Sequence, residues 1–258
     1  RRFARHISLK DVGVSGQEKL RDSKVLVIGA GGLGSPVLMY LAASGVGTIG
    51  IMDDDVVDLS NLQRQIIHDI DQLGVPKVIS AEKKIRGIDP DIRTILYQER
   101  ATAANLDSIV GEYDFVIDAV DNFVGKFLIN DACVLAGVPY CHGGIREFQG
   151  QIMTYVPGQG ACYRCVFEEI PRGGDVDTLS QYGVIGTIPG IIGSLQALEA
   201  QKYLLGVGEL LTGKMLVFDG LTMKCRQVEF GKSSPACRVC GKDADIRQLV
   251  PEEYKVGK

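Results

Sequence analysis

The run Lys24–Ile28 (KVLVI) passes directly into Gly29-Ala30-Gly31-Gly32-Leu33-Gly34, and that turn opens onto the apolar stretch GSPVLMYLAAS. A short β-branched run ending in glycines reads as a strand buried on both faces, and such strands belong to parallel sheets. Parallel neighbours need crossover segments, so the following sequence must alternate strand and helix. It does. The pattern predicts a helix over 34–44, a strand over 48–52, a helix from about Pro76 to about Gly87, a strand over 92–97, a helix over 103–110 and a buried strand over 115–119. After Pro139 the rhythm changes: 151–156, 215–219 and 224–230 read as exposed or antiparallel strands around a long apolar helix at 188–205. Residues 168–187 lack periodicity and read as a mobile loop. The expected fold class is α/β, a Rossmann-like, mostly parallel sheet with helices on both faces, extended by antiparallel strands and a zinc-bound C-terminal segment.

The glycine turn satisfies G-x-G-x-x-G between a strand and a helix, the context in which that spacing signals nucleotide binding. Glycines let backbone N–H groups approach phosphate, and the helix N-terminus adds partial positive charge. Asp53, at the end of the second strand, is placed to accept ribose hydroxyls. These features alone fit NAD as well as ATP.

Cationic side chains bear on that choice. Ser60-Asn61-Leu62-Gln63-Arg64 follows the aspartates 53–55, and Lys77 stands at a helix start. Taken singly, Arg64 and Lys77 read as surface charges; beside a triphosphate they would offset the charge that builds up during nucleotidyl transfer. Asp121-Asn122 lies just past the 115–119 strand, at the carboxyl end of the sheet where ligands bind. Asp121 there suits Mg²⁺, and its plainer role is to cap the helix starting near Asn122.

Cys162-x-x-Cys165 and Cys237-x-x-Cys240 have the internal spacing of tetrahedral zinc sites, with two disulfides as the alternative. The remaining thiols, Cys133, Cys141 and Cys225, read as small core residues, Cys141 being the least secure because His142 adjoins it. The chain carries a formal charge of −4, 45% hydrophobic residues and no apolar run of membrane-spanning length. It is therefore expected to bind neither nucleic acid nor membrane and to be cytoplasmic, since Arg1–Lys10 holds no apolar segment of signal-peptide type.

The sequence resembles the MoeB/ThiF family of ubiquitin-activating-type adenylyltransferases from about Arg5 to Cys240. The segments that carry the likeness are RHISL, GAGGLGSP, DDDVVDLSNLQRQ, Pro76-Lys77, Asp121-Asn122, GQI and GIIGSLQALEA. The resemblance implies one adenylyltransferase domain over 1–258, with a nucleotide-binding half at 1–140 and a carrier-binding and zinc half at 141–258. It implies ATP phosphates on Gly32, Asn61, Arg64 and Lys77, ribose on Asp53, and Mg²⁺ on Asp121. Gly29, Gly31, Gly34, Asp55 and Asn122 complete the expected nucleotide set. Arg5 looks like the family arginine that reaches into a partner subunit, which implies a homodimer. The implied substrate is the C-terminal glycine of a ubiquitin-like sulfur-carrier protein of MoaD/ThiS type ending in Gly-Gly, with carboxylates of small molecules or peptides as the alternative. One departure stands out. Where many relatives carry a loop cysteine this chain has Leu179, and no thiol lies between 166 and 187. Adenylation is untouched by that change; covalent thiol chemistry is not, so sulfur would come from external sulfide or a separate persulfide protein.

Overall fold

The computed structural model describes residues 2–171 and 183–254. Leu179 and Ser180 lie outside the described residues, as does most of the loop expected at 168–187. Five parallel strands form the frame: β1 (Lys24–Ile28), β2 (Thr48–Met52), β3 (Arg93–Tyr97), β4 (Phe115–Asp118) and β5 (Tyr140–Arg146). Three antiparallel strands continue the sheet: β6 (Gln149–Tyr155), β7 (Lys214–Asp219) and β8 (Lys224–Glu229). The order across all eight is β3-β2-β1-β4-β5-β6-β7-β8. The mostly parallel α/β fold expected from the sequence is the fold observed.

Alternation along β1 explains why both sheet faces are covered. Val25 and Val27 point to one core with α3 (Gly34–Ser44), α4 (Lys77–Ile88) and α8 (Thr187–Leu205). Leu26 and Ile28 point to the other, with α5 (Ala103–Ile109), α6 (Phe123–Ala136) and α7 (Tyr163–Phe167). Helix α6 shows how its ends are set. The Asn122 side chain accepts from Gly125 N at 2.8 Å at the start, and Gly137 at φ +68° stops the helix. Before β1 come two helices the sequence did not announce, α1 (Ala4–Ile7) and α2 (Gly13–Asp22), the second burying only Gly16, Gln17 and Leu20.

One expectation needs correction. Cys225 is exposed, because β8 is solvated along its whole length. Strand β6, expected at 151–156 as exposed or antiparallel, is antiparallel and mainly buried. The first cysteine pair follows β6 and opens α7. Cys133 and Cys141 are buried, as expected.

Candidate active site

The carboxyl ends of β1, β2, β4 and β5 open onto a cavity of about 910 Å³. It lies where the strand order leaves β1 in both directions, the crevice in which open α/β sheets bind ligands. The glycine turn forms one wall. Gly29 adopts φ +103° and packs so tightly on the Ala119 carbonyl that a Cβ would stand 2.6 Å from its oxygen. Gly31 and Gly32 line the cavity, whereas Gly34 does not; a Cβ on Gly34 would strike the Gly29 carbonyl, so its part is to let the turn close.

Asp53 lines the same wall and ties two strands together. Its carboxylate accepts from Ala30 N at 2.7 Å and from Asp55 N at 2.9 Å. Burial raises its pKa, opposed by the nearby Lys77 charge. Lys77 is buried with its Nζ 2.8 Å from Asp55 Oδ2, and Arg64 lines the cavity while donating to the Ser60 carbonyl at 3.1 Å. Asp53, Asp54 and Asp55 cluster closely enough to suggest a metal, but the last two are already paired, Asp54 with Arg100 at 3.2 Å and Asp55 with Lys77. Asp121 and Asn122 line the cavity opposite.

Two further predicted residues stand apart. Asn61 is not on the cavity wall. Its side-chain oxygen accepts from Asp58 N at 3.1 Å, and its carbonyl accepts from Arg64 N and Gln65 N, so it shapes the turn that presents Arg64. Arg5 is exposed on α1, outside the cavity of its own chain.

Beneath the floor lies a buried cluster that the sequence did not reveal. Lys126 Nζ donates to the carbonyls of Val120 at 2.7 Å and Gly143 at 2.6 Å, and sits 3.5 Å from Asp118. His142 Nδ1 lies 2.7 Å from Asp118 Oδ2. Burial pushes the Asp118 carboxyl up, but the Lys126 charge and the His142 hydrogen bond outweigh it, and the net pKa is lowered. His142 is lowered by burial and by Lys126, so the ring is neutral and its Nδ1–H donates to Asp118. A lysine inside the apolar run FVGKFLIN was the one available signal.

The four cysteines expected to act together do meet. Sγ separations are 3.8 Å for Cys162–Cys165, 3.6 Å for Cys162–Cys237 and 3.4 Å for Cys165–Cys240. A disulfide needs about 2.05 Å, while sulfurs about 2.3 Å from a tetrahedral zinc would stand roughly 3.8 Å apart. The cluster therefore fits one metal ion and excludes two disulfides in this geometry. Arg164, between the first two cysteines, is clamped to buried Asp131 at 2.7 Å, and Tyr254 donates to the same carboxylate at 2.9 Å. Tyr254 also lines the cavity, so the cysteine-bearing segment forms part of the site wall.

The model of the ThiF family matches residues 3–239. This chain belongs to the ThiF family. It is 42% identical to the sulfur carrier protein adenylyltransferase of Thermus thermophilus, over 99% of this chain and 96% of that one. It is 45% identical to the SAMP-activating enzyme E1 of Haloferax volcanii, over 93% and 88% respectively. The probable adenylyltransferase/sulfurtransferase MoeZ of Mycobacterium tuberculosis is also 45% identical, but this chain spans 60% of it. Among solved structures, E. coli MccB with AMPCPP and MccA superposes with a TM-score of 0.81 at 25% identity, over 93% of this chain and 74% of that one. The family resemblance read from the sequence thus holds along the chain, and this ThiF-family member is an adenylyltransferase. Among the described residues no helix is long and apolar enough to cross a membrane.

Proposed function

We propose that this ThiF-family adenylyltransferase joins ATP to the C-terminal glycine carboxylate of a ubiquitin-like sulfur carrier ending in Gly-Gly, releasing pyrophosphate. The observation that carries the reading is convergence: glycine-turn N–H groups, Asp53, Arg64, Lys77 and Asp121 all bear on one cavity at the carboxyl ends of the strands. In this reading Gly31 and Gly32 receive phosphate and Asp53 the ribose. Asn61 contributes through the turn it shapes, and Asn122 by capping α6 beside Asp121.

A carboxylate oxygen of the carrier attacks the α-phosphorus, the new O–P bond forms, and the bond to pyrophosphate breaks. The carboxylate is already ionised at neutral pH, so no general base is required. Asp121, an exposed carboxylate on the wall, is the hard oxygen ligand that would hold Mg²⁺, whose charge offsets that on the phosphates. Arg64 and Lys77 orient the phosphates and neutralise developing charge. Lys77 must first leave Asp55 or share it, which keeps its ammonium correctly aimed before ATP arrives.

Arg5 acts in the site of a second copy. The homodimer would use an apolar groove on the outer face of α8, where Ile66, Ile185, Ile191 and Leu198 are exposed around a shared hollow. Cys162, Cys165, Cys237 and Cys240 would hold a structural Zn²⁺, in keeping with a reducing cytoplasm that leaves thiolates available. With no loop cysteine, the acyl-adenylate passes to external sulfide or a persulfide protein.

Carrier-dependent ATP–pyrophosphate exchange tests the proposal. Exchange with a Gly-Gly-ending carrier is expected, and protein that ignores MgATP in calorimetry, with or without carrier, overturns it. A second reading, adenylation of a peptide or small-molecule carboxylate, is favoured by the likeness to MccB, which was solved with MccA. Exchange with peptides but with no Gly-Gly carrier would select it.

A further inference from the structure

Asp118, His142 and Gln151 form a row across three strands. Asp118 on β4 is in register with His142 on β5, and Gln151 on β6 is in register with Gly144, two residues beyond His142. The three side chains therefore share one face of the sheet, His142 and Gln151 as diagonal neighbours. Gly144 has no side chain to stand between them, and a Cβ there would come within 3.0 Å of Gln151 Cγ. The glutamine can thus fold across it, bringing its Nε2 to 3.5 Å from His142 Nε2.

The row has a polarity. Asp118 is a carboxylate and accepts, so Nδ1 of His142 carries the proton and Nε2 offers a lone pair. A lone pair there can be met by the Gln151 NH₂ and not by its carbonyl, so the amide is oriented with Nε2 inward. Its Oε1 is left for the cavity that Gln151 lines. The wall around it differs from the phosphate wall, holding Val217, Tyr163 and Tyr254 in place of the glycine-turn donors. A fixed carbonyl repels phosphate and carboxylate oxygens and suits an N–H donor.

We propose that Gln151 is a specificity residue that accepts a hydrogen bond from the last backbone N–H of the incoming carboxyl-terminal chain, and that Asp118 and His142 are positioning residues that fix which end of its amide faces the substrate. The proposal rests on the carboxylate-adenylating reading of the cavity. It gives the site a means of choosing a peptide-borne carboxylate over a simple acid, because a simple acid has no such N–H.

The test uses pyrophosphate exchange with a Gly-Gly-ending carrier and with the same carrier made semisynthetically with its final peptide nitrogen methylated. Methylation is expected to raise the carrier KM of the unaltered enzyme roughly 5- to 10-fold, the worth of one hydrogen bond. Gln151→Met is expected to raise the KM for the normal carrier by the same factor, with the KM for MgATP unchanged and with no added penalty for the methylated carrier. Asp118→Asn, which can turn the imidazole to the other tautomer and with it the amide, is expected to act like Gln151→Met on carrier KM. Nitrogen-15 shifts of His142 are expected to show Nδ1 protonated in the unaltered protein. An Nε2-protonated ring, or a methylation penalty that persists in Gln151→Met, overturns the inference. Exchange with none of the carriers sinks the functional reading, whereas exchange indifferent to Gln151 sinks this inference alone.

Discussion

The two walls of the cavity are built in different ways. The proposed phosphate wall comes from the segments that follow β1 and β2, and its ties span at most 23 residues: Asp53 to Ala30, Lys77 to Asp55, Asn61 to Asp58. The opposite wall gathers pieces far apart in the chain. Tyr163 follows Cys162, Tyr254 follows the second cysteine pair, and Asp131 holds both segments through Arg164 and Tyr254. The first wall is set by the local fold of a parallel sheet, and the second depends on long-range fasteners. A site divided in this way can keep its proposed nucleotide end rigid while the proposed carrier end answers to the cysteine cluster and to the C-terminal segment.

The largest expected effect comes from the cysteine cluster, since binding of structural zinc supplies on the order of 10 kcal/mol of folding free energy in small domains. Chelation, or Cys237→Ser, should strip hydrogen-exchange protection from 160–167 and 234–254 first, with β1 to β4 still protected. Simultaneous loss across both regions would break the contrast between the walls. Next is Asp121→Ala, expected to cut pyrophosphate exchange by about 100- to 1000-fold with little change in melting temperature. A drop in stability of similar weight would make Asp121 a structural residue.

Lys126→Met strikes the seam between the walls by leaving Asp118 buried without its cation. A loss of about 3 kcal/mol in denaturant unfolding is expected. The pH dependence of stability sharpens the same point. His68 is lowered chiefly by burial, as is His142, so each is neutral in the fold and takes up a proton on unfolding below about pH 6.5. Stability should be full above that pH and fall as pH drops towards 5, with a slope of up to about 1.4 kcal/mol per pH unit for each ring. Unfolding curves superimposable at pH 7 and 5.5 would contradict it. The smallest effect is Tyr254→Phe, about 1 kcal/mol for one hydrogen bond to buried Asp131, measured as a shift in denaturant midpoint.

The phosphate wall was more legible in the sequence than the other. Strands β1 and β2 and helix α3 fall on the predicted residues, because β-branched runs and flanking glycines act within a few residues of themselves. Helix α2 was not legible; its residues are mostly polar and its buried stripe is thin. Cys225 was misread because an apolar residue type on a strand says nothing of whether that strand sits at the solvated margin of the sheet. The meeting of the four cysteines was suggested by spacing within each pair, not by the 71 residues between pairs. The Asp118–His142–Gln151 row was invisible, since it arises from the register of three strands, and register is a property of pairing rather than of any one segment.

Strand β8 has one further consequence. It is the last in the sheet, exposed along its length, and among the described residues its outer backbone groups have no neighbouring strand. Lys224, Arg226 and Glu229 space charge along it. Charged side chains along an exposed edge must give up water for a ninth strand from another copy to dock, so the margin that enlarges the sheet also guards it against growing into a fibre.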